Sequence, residues 1–119
     1  GASQFRTITP SRLLDTRTTS RLTAGTPLEL TLAGHNGFDA QAYAVALNVT
    51  VVNPAAGGYV TLYPCNASVP VVSNLNFVTG QTVSNAVTVK LASGKACVVS
   101  TVAADLVVDV AAEFMEANG

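Results

Sequence analysis

The side chains able to do chemistry in this sequence are few, and their spacing decides what chemistry is open to them. A nucleophilic triad needs a base, and the chain holds one histidine, His35. It sits in Gly34-His35-Asn36-Gly37, which reads as a loop, with Asp39 close by in sequence. No Gly-x-Ser-x-Gly elbow accompanies the serines. Asp15, Asp105 and Asp109 could supply a carboxylate pair for glycoside hydrolysis. Asp105 and Asp109 share one face of a candidate strand, however, and stand about 13 Å apart at strand rise, too far for a retaining pair on a straight strand. The alternative for these groups is structural: a solvated loop imidazole, and carboxylates bonded to Arg12, Arg17 or backbone amides. The chain is therefore read as non-enzymatic.

Metal binding is set against the same structural alternative. Calcium takes several oxygen ligands, commonly from one loop, and no Asp/Asn-rich loop of that kind is present. A site built from Asp15, Asp105, Asp109 and backbone carbonyls competes with a buried polar network. Two cysteines and one histidine are too few for a structural zinc site, and no cofactor is expected.

The asparagines and tyrosines offer binding chemistry instead. Asn48, Asn74, Asn76 and Asn85 fall inside strand-like runs, where asparagine is disfavoured. Two explanations stand. Their side chains bond to loop backbones and fix strand connections, or they present amides to sugar hydroxyls, since an amide both donates and accepts. Sugar C–H faces also stack on aromatic rings. Tyr59 and Tyr63 share a strand face with Thr61 and form a candidate stripe, while Tyr43 lies on a more apolar face and reads as core. The chain has no Trp, which argues against a flat platform for crystalline polysaccharide. The ligand-binding candidates are therefore Tyr59, Tyr63, Asn48, Asn74 and Asn76. Packing of the two tyrosines against a loop or a subunit is the alternative.

The elements that must position these residues are strands. Ala42 to Pro64 reads as a central hairpin. Val45, Leu47, Val49 and Val51 alternate with Ala44, Ala46, Asn48 and Thr50, the period-two pattern of a strand with one buried face. Asn53-Pro54 and Gly57-Gly58 supply the turn, and Val60 and Leu62 carry the apolar face onward. Gln4 to Thr9 reads as an edge strand ended by Pro10. Leu28, Leu30 and Leu32 mark another strand, and Phe38 anchors the end of the loop that follows. Val71 to Val78 reads as a strand with Leu75 and Phe77 on one face. Asn85, Val87, Val89 and Leu91 form the next alternation, and Ser93-Gly94 is a tight hairpin signal before Ala96 to Val102. Leu106, Val108 and Val110 mark the last strand. The tail Ala111 to Gly119 is open between a short helical turn and a packed Phe114 followed by fraying residues 115–119.

Eight or nine short strands with regular turns and no convincing helix predict an all-β antiparallel sandwich, jelly-roll or immunoglobulin-like. The 119 residues make one domain, 1–119, with Gly1-Ala2-Ser3 readable as a cloning remnant. Hydrophobic residues are 49% and charged residues 11%, against a usual charged share of about 25%, so the chain is not a disordered one. A net charge of −1 gives no electrostatic case for nucleic acid or an anionic membrane surface. Charged or polar residues interrupt every apolar run before the roughly 20 residues of a membrane-spanning helix. The paired cysteines, Cys65 and Cys97, favour a disulfide and an oxidising compartment, with two buried free thiols as the alternative.

The ordered series SRLLDTR, ALNVTVVNP, GYVTLYPC, SNLNF, GQTVSNAVTVKL, ACVVS and DLVVDVAAEF resembles a β-domain of secreted bacterial proteins, found in actinobacteria and more distantly in acidobacteria. The resemblance runs from Arg12 to Phe114. Such domains occur alone, in tandem, or appended to secreted hydrolases. The family usually ends in Gly-Tyr-Phe, where this chain has Ala112-Glu113-Phe114. The resemblance implies a secreted, non-catalytic accessory module that binds or displays on surfaces, and with the Asn and Tyr candidates above it is read as a carbohydrate- or cell-surface-binding module whose partner is a glycan or cell-wall polysaccharide. The alternative is a structural or oligomerisation module, homo-oligomeric or in tandem copies, with no small ligand.

Overall fold

The computed structural model describes residues 3–35 and 37–116. Its eight strands are β1 (Ser3–Asp15), β2 (Leu28–Thr31), β3 (Ala44–Val52), β4 (Gly58–Pro64), β5 (Leu75–Phe77), β6 (Val83–Lys90), β7 (Lys95–Ser100) and β8 (Asp105–Glu116). One 3-10 turn, Thr16–Thr18, follows β1. The strands form two four-stranded sheets, ordered β1-β8-β3-β6 and β2-β7-β4-β5. All strand pairs are antiparallel. This interleaved order in two facing sheets is a jelly roll.

The period-two apolar faces make the core. Val45, Leu47, Val49 and Val51 of β3 and Leu106, Val108 and Val110 of β8 are buried and face Val60, Leu62, Leu75 and Val98 of the other sheet. Each such side chain contributes about 1.5–3 kcal/mol on full burial. The Cys65–Cys97 disulfide is formed, with the two Cα atoms 5.0 Å apart. Phe38 is buried as expected, while Tyr43 is half-buried with its ring 6.5 Å from that of Phe114.

Several expectations are corrected by the pairing. β3 and β4 are not a hairpin: they lie in different sheets, and the Asn53–Gly57 segment crosses the end of the sandwich. Both strands bury an apolar face in one core, so their alternation was the same whether they paired or faced each other. Gly58 is glycine for space rather than turn freedom, since a Cβ there would collide with Thr101 Oγ1. Ser93-Gly94 does form a tight turn, with φ of 52° and 75°. The Ala92–Lys95 bridge it closes is isolated, however, because β6 and β7 part at once into opposite sheets.

Pro10 does not end the first strand. β1 continues to Asp15 along β8, with register shifts between Thr7 and Ser11 and between Arg12 and Leu14. An edge position and a bulge are where a strand tolerates proline. The strand expected over Val71 to Val78 is ordered as strand only at Leu75–Phe77. The tail is neither helical nor frayed as far as it is described: β8 runs to Glu116, and the Phe114 ring packs 5.2 Å from Phe5. Residues 117–119, also expected to fray, lie outside the described residues.

Candidate functional site

The outer face of the β2-β7-β4-β5 sheet carries the aromatic stripe. Tyr59, Thr61 and Tyr63 of β4 point there, opposite Asn76, Val99 and Cys97 of the neighbouring strands. The segment after β4 is tethered to β7 by the disulfide and returns across this face. Its Val72 carbonyl accepts a hydrogen bond from Thr61 Oγ1 at 2.7 Å. Thr61 and Tyr63 are consequently buried, at 1% and 5% exposure, and Tyr59 alone stays open, at 45%.

The asparagines divide between structural and exposed positions. Asn74 Oδ1 accepts the Leu62 backbone N–H at 2.7 Å, and the Asn74 N–H donates to the Val60 carbonyl at 2.9 Å. The Asn74 carbonyl accepts Asn85 Nδ2 at 2.9 Å, a bond that links β6 to the segment entering β5. Asn76 is exposed beside Tyr59, its Oδ1 accepting Ser73 Oγ at 3.1 Å. Asn48 is exposed on the other sheet, between Asp109 and Ala86. Sheets in a sandwich lie about 10 Å apart, so their outer faces cannot converge on one small ligand. Of the five expected binding residues, the fold thus leaves Tyr59 and Asn76 as exposed neighbours, separates Asn48, buries Tyr63, and commits the Asn74 side-chain oxygen to the Leu62 N–H.

The aspartates are engaged by the protein's own donors. Arg17 grips both Asp15 oxygens, each at 2.9 Å, and Arg12 bridges Asp15 and Asp109. The Arg17 side-chain hydrogen bonds draw the Asp15 carboxyl down to about 2. In return, the Asp109 hydrogen bond raises the Arg12 guanidinium and the Asp15 bond raises that of Arg17 above their ordinary values. Asp105 accepts Thr16 Oγ1 at 2.8 Å, and the same Thr16 oxygen accepts the Leu106 N–H at 2.8 Å. This polar seam pins the β1 exit to β8. No group of three or more His, Cys, Asp or Glu side chains that could hold a metal occurs among the described residues.

Two polar features were not visible in the sequence. Ser11 Oγ and His35 Nε2 lie 2.8 Å apart although they are 24 positions distant in sequence. Ser11, with Ile8, Thr9, Pro10 and Gly37, lines an open hollow of about 470 Å³. A nucleophilic relay also needs a group orienting the imidazole. The neighbouring Asp39 carboxylate instead meets Arg6 at 3.5 Å and the Gln41 N–H at 2.8 Å. The second feature is Glu113, fully buried, whose Oε1 accepts the Asp39 N–H at 2.8 Å while Oε2 has no partner among the described residues.

Exposed apolar side chains flank β5, the strand that pairs with β4 at Tyr59. Val69, Val71, Val72 and Val78 are all exposed, Val71 completely and Val78 by 65%. Val72 lies against β4 through its carbonyl, and Val78 directly follows β5, so they belong to the same margin of the sheet as Tyr59.

Neither a protein-family model nor a curated protein matches this chain. Among solved structures, it is similar to the Tobacco streak virus coat protein. One crystal form of that protein gives 14% identity and a TM-score of 0.42, covering 91% of this chain and 85% of that one. A structure of the coat protein dimer gives 13% identity and a TM-score of 0.43, covering 92% and 85%.

Proposed function

We propose that this chain is a non-catalytic structural or assembly module of a secreted bacterial protein. The observation that carries the proposal is the apolar margin of Val69, Val71, Val72, Val78 and Tyr59 left open on the β4–β5 side. Exposed apolar side chains gathered along one margin mark a contact surface, and a chain with 11% charged residues carries few charges to oppose association. The Cys65–Cys97 disulfide supports an oxidising, extracytoplasmic setting. The motif series from Arg12 to Phe114 supports an accessory role beside other domains.

The glycan reading is less well supported. Its aromatic stripe is reduced to Tyr59, because the segment carrying Val72 lies over Thr61 and Tyr63. Sedimentation velocity over a concentration series, paired with a glycan array, tests the two against each other. Concentration-dependent association without glycan binding is the expected result. A strictly monomeric chain that binds one glycan class, and loses it in Tyr59→Ala with the fold intact, overturns the assembly reading.

A further inference from the structure

We infer that the unpaired edge of β6 receives the β6 edge of a second copy of this chain, joining two β1-β8-β3-β6 sheets into one continuous sheet. The inference rests on the assembly reading and names its partner and its surface. A sandwich has four sheet edges, and unpaired edges invite pairing with other chains unless something blunts them. Here three are blunted. β1 carries Pro10, Arg6 and Arg12, and its pairing is broken by two register shifts. β2 has 4 residues and carries Glu29, which meets Lys95. β5 has 3 residues.

β6 has none of these protections. Its 8 residues, Val-Ser-Asn-Ala-Val-Thr-Val-Lys, contain no Pro or Gly and no charge before Lys90. All of them pair with β3, from Ala44↔Lys90 to Val51↔Val83, without a register shift. An unbroken ladder on one side leaves a regular row of N–H and C=O groups on the other. Among the described residues, no other element bonds to the backbone of that outer edge between Ser84 and Lys90. The Asn85–Asn74 bond places this edge on the same side of the sandwich as the segment bearing Val71 and Val72.

The chemistry of the edge suits a second copy. A two-fold axis perpendicular to the sheet pairs β6 with itself in antiparallel fashion and keeps outward-facing residues opposite outward-facing ones. Centred on Ala86, it sets Ser84 opposite Thr88 of the partner subunit, a hydroxyl pair of the kind that favours cross-strand contact. The two Lys90 side chains then lie at opposite ends, about 27 Å apart at strand rise and beyond the roughly 8 Å screening length. No charge on the strand opposes the pairing, and none calls for a partner of opposite sign.

The footprint is small. β6 spans about 26 Å, and the shortest dimension of the molecule is 19 Å. That gives on the order of 500 Å² per copy, against about 800 Å² for a standard specific interface. Pairing between separate chains is accordingly weak, and it strengthens when copies are tethered, because a short linker supplies a roughly millimolar effective concentration.

Sedimentation velocity of the isolated chain, from micromolar to millimolar concentration, tests the inference alongside amide hydrogen exchange of β6. The expected result is a monomer–dimer equilibrium, with β6 amides better protected at high concentration. Ala86→Lys changes an exposed side chain and puts two like charges opposite each other near the axis, which weakens association at least about tenfold. Its unfolding midpoint stays that of the wild type. A wild-type chain that remains monomeric overturns both this inference and the assembly reading. Association that persists in Ala86→Lys but is lost in the Val71→Ser/Val72→Ser double variant overturns edge pairing alone.

Discussion

Asn74 separates a structural amide from a sugar-binding one. Alanine at this position removes the acceptor that the Leu62 N–H holds at 2.7 Å, and Leu62 is buried. A buried amide left without a partner costs about 1–3 kcal/mol. The Asn74 backbone bonds to Val60 and to Asn85 survive, because they use main-chain atoms. The loss is confined to one acceptor, and about 2 kcal/mol is expected for Asn74→Ala. For a domain of this size that lowers the thermal midpoint by about 8 °C. Urea unfolding followed by circular dichroism, with the disulfide intact, measures it, and an unchanged m-value shows that only stability moved. Asn74→Asp is the informative companion, since it keeps an oxygen in the accepting position and a charged acceptor bonds an amide at least as strongly. It should retain most of the wild-type stability at neutral pH. Unfolding of Asn74→Ala within about 0.5 kcal/mol of the wild type, or an Asn74→Asp variant no more stable than Asn74→Ala, would rule out the Asn74–Leu62 bond as a source of stability.

Two further expectations concern covalent and ionic ties. The disulfide joins residues with a sequence separation of 32, so the Cys65→Ser/Cys97→Ser double variant should lose about 3.7 kcal/mol by loop-closure entropy. A loss under about 1 kcal/mol in urea unfolding would show that the unfolded chain gains little freedom. Arg17 hydrogen bonding lowers the folded-state Asp15 carboxyl to about 2, below the value of 3.8 for a free group. That contribution to stability is fully present above about pH 4 and disappears as pH falls through about 2. Asp15→Asn should flatten this part of the acid limb in a plot of urea midpoint against pH, and an unaltered acid limb would refute the assignment.

Much of the architecture was legible because burial leaves a period-two trace. The alternations over Val45–Val51, Val87–Val89 and Leu106–Val110 are core faces in the folded protein. The Ser93-Gly94 turn was legible for a local reason, as both residues adopt positive φ. What alternation cannot report is the partner. Val60 and Leu62 bury the same face whether β4 pairs with β3 or packs across the core from it, and the fold takes the second course. The tail Ala111 to Glu116 read ambiguously because its residues suit either state, and pairing with β1 made it a strand.

The candidate site divides in the same way. Residue types alone marked Asn48, Asn74, Asn76 and Asn85 together as asparagines in strand-like runs, without separating the bonded from the exposed ones, and Asp15 as a match for Arg12 or Arg17. The reasons are chemical: asparagine is disfavoured in a strand-like run unless its amide finds a partner or faces water, and nearby opposite charges pair. Tertiary structure alone decided that Tyr63 is covered while Tyr59 is not, that Asn48 lies on the far sheet, that Ser11 meets His35, and that β6 keeps a free edge. Side-chain direction along a strand is set by the local backbone, and so it is written in the sequence. Which surface then lies over that side chain depends on contacts between residues distant along the chain, and only the closed sandwich brings those together.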